Sequence, residues 1–144
     1  MVTKDKEKAL WAWLRDGAKP IRRDLHMHRV ENEVEVGCPD VEGCYRGSSF
    51  WTELKSCPEP GPRGGVQVKI TDRQMDWLRR RRKVGGLSWL LIRAGTGNKR
   101  RHYLLEGENL TALRKSVQEP WLAERSVIGE KDGAASIIKA MAGF

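Results

Sequence analysis

Residues 29–56, RVENEVEVGCPDVEGCYRGSSFWTELKS, decide how this chain is read. Val30, Val34 and Val36 alternate with Glu31, Glu33 and Glu35. A period of two puts each set on its own face, so the spacing predicts a strand over Arg29–Val36. Gly37-Cys38-Pro39 breaks it. A short strand is expected from Asp40 to Tyr45, then a turn at Arg46-Gly47-Ser48, then a strand from Phe50 to Cys57. Residues two apart on a strand face the same way, so Glu53 and Lys55 project together. If these two strands pair through the turn, Asp40 comes beside Glu53. Two carboxylates then face one point, with an ammonium close by.

That grouping has a specific chemistry. Paired carboxylates are the ligand set Mg²⁺ uses when it keeps several waters for a substrate phosphate. The metal can activate water and neutralise charge on the phosphate. Lys55 can stabilise a phosphorane-like transition state, or take a proton from water if its pKa falls. Taken without context, Glu53 and Lys55 would be a solvated pair on an edge strand and Asp40 a turn residue.

Working outward, Leu10, Trp11 and Leu14 share a helical face with Glu7 one turn earlier, which predicts a helix from Lys4 to about Arg15. Gly17 and Pro20 stop it. Downstream, Thr71 or Asp72 caps a helix running to Lys83, closed by Gly85-Gly86. Leu87 to Ala94 is a nearly continuous apolar run of strand length, suited to the middle of a sheet. A turn at residues 95–98, a strand over Arg101–Leu105, a short helix over Leu110–Val117 and a last helix over Ala134–Met141 complete the order. The order is α-β-β-β-α-β-β-α, an α/β chain. The strand–helix–strand unit from Phe50 to Ala94 requires a parallel crossover, so the sheet is mixed.

The chain has 144 residues, a formal net charge of +8 and a pI near 9.7. That length suits one domain with a real core, and the charge favours a polyanionic partner such as nucleic acid. No apolar run reaches the ~20 residues of a membrane helix, and the charged N-terminus is no signal peptide. Cys38, Cys44 and Cys57 form no CxxC pair and no zinc spacing, which leaves a zinc site with His26, His28 or His102 as the minor alternative. The reading is a reduced, cytoplasmic setting. Gly95-Thr96-Gly97-Asn98-Lys99 is not a P-loop, so no nucleotide cofactor is expected. Two basic runs could follow phosphates: Arg79, Arg81, Arg82 and Lys83 at the end of one helix, and Lys99, Arg100 and Arg101 after a turn. A solvated helix end, favoured by the helix dipole, is the plain alternative for the first.

With these motifs in view, the chain resembles the PD-(D/E)xK nuclease superfamily, and most of all its virus-type replication-repair (VRR-NUC) branch in the short single-domain phage form. The resemblance rests on Gly37–Val41, on Phe50–Lys55 with its Glu-Leu-Lys, and on Gln74 with Trp77 in the next helix. The strand between Gly86 and Gly95 and the His102–Leu113 segment extend it, from about Glu7 to Leu113. It implies a restriction-endonuclease-like mixed β-sheet flanked by helices, with a nuclease domain over residues 1–120 and a C-terminal extension over residues 121–144. It implies Asp40 and Glu53 as ligands of Mg²⁺ or Mn²⁺, the Leu54 backbone carbonyl as a further ligand, Lys55 as the catalytic lysine and Gln74 as a helix glutamine beside the site. An upstream acid is also implied. Glu31 and Glu7 compete for it, with Glu31 placed slightly ahead. The plain alternative for Gln74 is that it simply caps or bridges backbone. The implied activity is a metal-dependent endonuclease, a homodimer cutting branched DNA such as a Holliday junction or flap. The alternatives are a nuclease on ordinary duplex and an inactive DNA-binding protein.

Overall fold

The computed structural model describes residues 2–32 and 34–144, with side chains from Asp5 onward. Helix α1 (Val2–Asp16) buries Leu10 and Leu14 completely. A 3-10 turn at Lys19–Asp24 then leads into strand β1 (Leu25–Arg29). Strands β2 (Val41–Tyr45) and β3 (Ser48–Cys57) follow as an antiparallel hairpin. Its tight turn is Arg46-Gly47, with φ of +47° and +84°. Positive φ at both positions gives the twist that a two-residue hairpin needs.

A two-residue strand β4 (Gly65–Val66) precedes helix α2 (Asp72–Lys83), which crosses over to β5 (Leu87–Ala94). Strand β6 (Arg101–Glu106) returns antiparallel, and β7 (Val117–Gln118) pairs with β4 as a separate ribbon. Helices α3 (Glu119–Arg125) and α4 (Ala134–Met141) end the chain. The main sheet has the order β1-β2-β3-β5-β6, with only β3 and β5 parallel. This is the mixed sheet flanked by helices that the sequence implies.

Two apolar cores sandwich it. On one face Leu10, Leu14, Phe50, Leu54, Leu91 and Leu104 pack with Ile137, Ile138 and Met141 of α4. On the other, Leu90, Ile92, Tyr103 and Leu105 pack with Met75 and Leu78 of α2 and Leu122 of α3. Each fully buried Leu or Ile contributes about 1.5–3 kcal/mol. Residues beyond 120 therefore supply parts of both cores. No helix among the described residues is long and apolar enough to cross a membrane.

Three expectations are corrected. The alternating stretch after Arg29 is not a strand: β1 lies earlier, where Leu25 and Met27 pack on a core between exposed His26 and His28. Pairing of β1 with β2 ends at Arg29↔Val41, with a last backbone bond from Val30 N to the Asp40 carbonyl at 2.7 Å. Beyond it, the Asn32 side chain accepts from Val34 N and Glu35 N, at 3.0 and 2.8 Å, and bends the chain. Val34 is 93% exposed and Val36 61%, so neither valine feeds a core. Glu33, read as part of that strand, lies outside the described residues. The helix expected over Leu110–Val117 is a single 3-10 turn at Thr111–Arg114 followed by β7. Helix α3 was not expected, although Pro120 in its first turn is a helix-start signal.

Candidate functional site

The site grows from a mismatch in strand length. Strand β2 pairs with β3 only from Tyr45↔Ser48 to Val41↔Thr52, whereas β3 runs on to Cys57. From Glu53 onward β3 is held by β5 on one side and has lost β2 on the other. Pro39 helps to turn the chain away, since it has no N–H for a ladder. The Asp40 side chain takes over instead: its Oδ2 accepts from Leu54 N at 2.9 Å. Gly37 fixes this loop against α2. Its φ is +87°, and a Cβ there would lie 2.6 Å from the Arg73 carbonyl oxygen.

Glu53 and Lys55 share the α2 face of β3. The Glu53 residue is 2% exposed and Lys55 8%. Lys55 Nζ stands 3.3 Å from Glu53 Oε2 and 3.9 Å from Glu7 Oε1, which α1 brings in from beyond the open edge of β3. Burial, and after it the neighbouring Asp40 charge, pushes the Glu53 carboxyl up to about 8, with Lys55 acting in the opposite sense. Glu53 Oε1 is buried with no hydrogen-bond partner among the described residues. A buried carboxylate oxygen left unpaired is costly. A divalent cation between Asp40 and Glu53 would give that oxygen a partner and favour the charged form, so the residues present fit such an ion.

The other residues singled out by sequence fall in different places. Glu31 is exposed in the loop after β1, and Glu7 is the one of the two candidate upstream acids whose carboxylate meets Lys55. Gln74 closes a capping box at the start of α2: its Oε1 accepts from Thr71 N at 3.0 Å and its backbone N–H donates to Thr71 Oγ1 at 3.1 Å. Its amide oxygen is thus used by the helix cap. Arg79 is paired with Asp76 on its own helix. Arg82 donates from Nε to the Ser88 carbonyl at 2.9 Å and lies over Trp89. Arg101 is half-buried and gripped by Glu119 through Nε and Nη2, at 2.8 and 2.9 Å. Lys83, Lys99 and Arg100 are exposed. Arg101 and the Nε of Arg82 thus serve partners within the fold, whereas Arg82 Nη2 is buried with no hydrogen-bond partner among the described residues.

His102 is buried, stacks on Trp13 with ring centroids 4.2 Å apart, and accepts from Arg93 Nε at 3.0 Å. Burial, with Arg93 nearby, brings its pKa down to about 4, so the ring is neutral. One feature was not anticipated. Trp51, two residues before Glu53 on the same strand face, meets Trp77 at 5.1 Å with the rings tilted by 55°. Arg81 lies over both, at 4.7 Å from Trp77 and 5.6 Å from Trp51. The signal was present in the spacing of Trp77 and Arg81 on α2, but no sequence rule puts Trp51 opposite them.

Neither a family model nor a curated protein sequence matches the chain. Among solved structures, the 1.6 Å structure of Hjc, a Holliday junction resolvase from the archaeal hyperthermophile Archaeoglobus fulgidus, superposes with a TM-score of 0.56. The match covers 90% of this chain and 98% of that one at 13% identity. At that identity the likeness is one of fold, and it places the chain in the restriction-endonuclease-like α/β architecture.

Proposed function

We propose that this protein is a metal-dependent endodeoxyribonuclease that hydrolyses phosphodiester bonds, selective for branched DNA of the Holliday-junction or flap type. The observation that carries the reading is the convergence of Asp40, Glu53 and Lys55 at the open edge of β3, with an unpaired Glu53 oxygen at its centre. The Hjc fold supports the nuclease class and the branched substrate. The PD-(D/E)xK motif resemblance supports both independently.

In this reading Asp40, Glu53 and the Leu54 carbonyl would hold Mg²⁺ or Mn²⁺. When bound, the ion supplies charge neutralisation at the scissile phosphate and a more acidic water. Asp40 also orders the strand, since its bond to Leu54 N fixes the end of β3 and so aims the Glu53 and Lys55 side chains. Lys55 places a positive charge where negative charge develops on the phosphate oxygens. Glu7 and Glu53 hold that ammonium from two sides, which sets its position before substrate arrives. Exposed Lys83, Lys99 and Arg100, with Arg81 of the indole cluster, supply the salt-dependent attraction for the DNA backbone. A homodimer would offer two such sites to two strands of one branch, as in a phage replication or recombination enzyme.

The test is direct. Purified protein with Mg²⁺ is given four-way junction, flap and plain duplex DNA, with Asp40→Ala and Lys55→Ala as controls. Metal-dependent cutting of branched DNA that both substitutions remove is the expected result. Binding without cutting would leave an inactive DNA-binding protein. Equal cutting of plain duplex would leave a nuclease without branch selectivity.

A further inference from the structure

We infer that Trp51, Trp77 and Arg81 form a stacking platform for an unpaired nucleobase next to the scissile phosphate, so the favoured substrate carries unpaired nucleotides at its branch. This rests on the nuclease reading above and narrows its substrate. Position comes first. Trp51, Glu53 and Lys55 alternate along β3 and share one face, which puts the first indole about 7 Å from the carboxylate along the strand. That is about two base-pair rises of a nucleic-acid strand. A base held on Trp51 would belong to a nucleotide one or two steps from the bond being cut.

The platform also has the right surface chemistry. Both indoles are half-buried, and Trp51 belongs to neither apolar core. The Trp77 ring is pinned, with its Nε1 donating to Glu35 Oε1 at 2.7 Å. The Arg81 guanidinium lies over both rings and adds a planar cation to the stack. A cleft of about 400 Å³ opens beside them, lined by Glu35, Trp77, Arg80, Arg81, Lys83 and Val84. That volume falls within the range of ~300–1,000 Å³ typical of small-molecule sites. Aromatic faces flanked by arginine and lysine are the elements that hold single-stranded nucleic acid, since every base has a π face and every nucleotide a phosphate. A paired duplex keeps its bases inside and cannot use them.

The experiment uses the full chain carrying Asp40→Ala, which binds without cutting, and flap DNA with 2-aminopurine at the unpaired branch position. Binding should quench the aminopurine. Trp77→Phe should keep most of the quench, while Trp77→Ala and Trp51→Leu should lose it. In otherwise wild-type enzyme, the ratio of kcat/KM on flap over fully paired duplex should fall roughly tenfold or more with Trp77→Ala and recover with Trp77→Phe. Melting curves identify any variant that fails to fold, and Trp51→Leu keeps the test open because it leaves the Trp77–Glu35 bond in place. An unchanged quench and ratio in both folded variants would overturn the platform. So would selectivity that follows a loss of dimer in sedimentation, which would make this cleft a contact between two copies. A wild-type protein that cuts no DNA defeats the nuclease reading instead, and the aminopurine signal tells the two failures apart.

Discussion

Lys55 on β3 and Tyr103 on β6 lie in one register row, on either side of Ile92, so two polar clusters share one face of one sheet. The cluster on β6 is complete. Arg101 holds both Glu119 oxygens, and the Tyr103 hydroxyl donates to the same carboxylate. Burial works against the Glu119 charge, but these bonds outweigh it and leave the carboxyl below its ordinary value. The cluster on β3 is incomplete. Glu53 keeps an unpaired oxygen and a carboxyl pushed up to about 8, although Lys55 is 3.3 Å away. One sheet thus carries ions that complete the fold and ions that the fold leaves unfinished. An unfinished buried group is destabilising by itself, and a ligand that finishes it turns the cost into binding energy.

The largest effect that would break this contrast is on turnover. Asp40→Ala or Lys55→Ala should lower metal-dependent cleavage by about 10²–10³-fold or more, the scale expected when one group stabilising developing charge is removed. The two should then part in calorimetry. Lys55→Ala should leave Mg²⁺ affinity largely intact, and Asp40→Ala should weaken it. Loss of metal affinity with Lys55→Ala would move that residue out of its assigned role. No comparable loss of turnover is expected from Glu119→Gln.

Stability should show the contrast with opposite signs. Glu119→Gln leaves half-buried Arg101 without its carboxylate and should cost about 2 kcal/mol. Glu53→Gln should stabilise the metal-free protein by about 1–3 kcal/mol at and above pH 8, because it removes a buried charge. The pH dependence has a definite sign. Below the ordinary carboxyl value of 4.5 Glu53 is neutral in folded and unfolded chains alike. Between there and about 8 the folded state keeps a proton that the unfolded state has released, so stability falls as pH rises. Melting temperatures from pH 4 to 9 should decline more steeply for wild type than for Glu53→Gln. Added Mg²⁺ should recover the difference only in wild type. Parallel curves without metal would sink this account of Glu53.

A smaller effect separates the two upstream acids. Glu7 meets the Lys55 ammonium from α1, and Glu31 is exposed in a loop. Glu7→Gln should reduce kcat roughly tenfold by loosening Lys55, equivalent to about 1.4 kcal/mol. Glu31→Gln should do nothing measurable. Full activity in Glu7→Gln together with loss in Glu31→Gln would reverse the assignment.

The same pair shows where sequence reading succeeds and where it stops. Leu87–Ala94, Ala134–Met141 and the Thr71 cap are local: an apolar run, a helical period and a capping residue suffice, and each element has the bounds expected. Asp40, Glu53 and Lys55 were legible because strand alternation and one short hairpin bring them together. The position of Glu31 was not legible, for a physical reason. Alternation from Val30 to Val36 imitates a strand, but a strand needs a partner, and β2 starts only at Val41. With no rung beyond Val30, the Asn32 turn takes over and carries Glu31 into solvent. Glu7 reaches the site through tertiary packing of α1 across β3, which no local pattern records. The Trp51–Trp77–Arg81 stack was hidden for the same reason.

The smallest effect concerns Gln74, where one side chain is claimed by two roles. As the N3 residue of α2 it accepts from Thr71 N and completes a capping box. Gln74→Ala leaves Thr71 without its side-chain acceptor and should cost about 0.5–1 kcal/mol of stability, within the usual range for a cap. Gln74→Glu keeps the acceptor geometry and adds a charge favoured at a helix N-terminus, so it should restore that loss. Cleavage should follow stability in both variants if the glutamine is only a cap. A kcat that falls well beyond tenfold in Gln74→Ala, with melting almost unchanged, would place the amide beside the reacting phosphate. That result would also widen the unfinished cluster from β3 onto the first turn of α2.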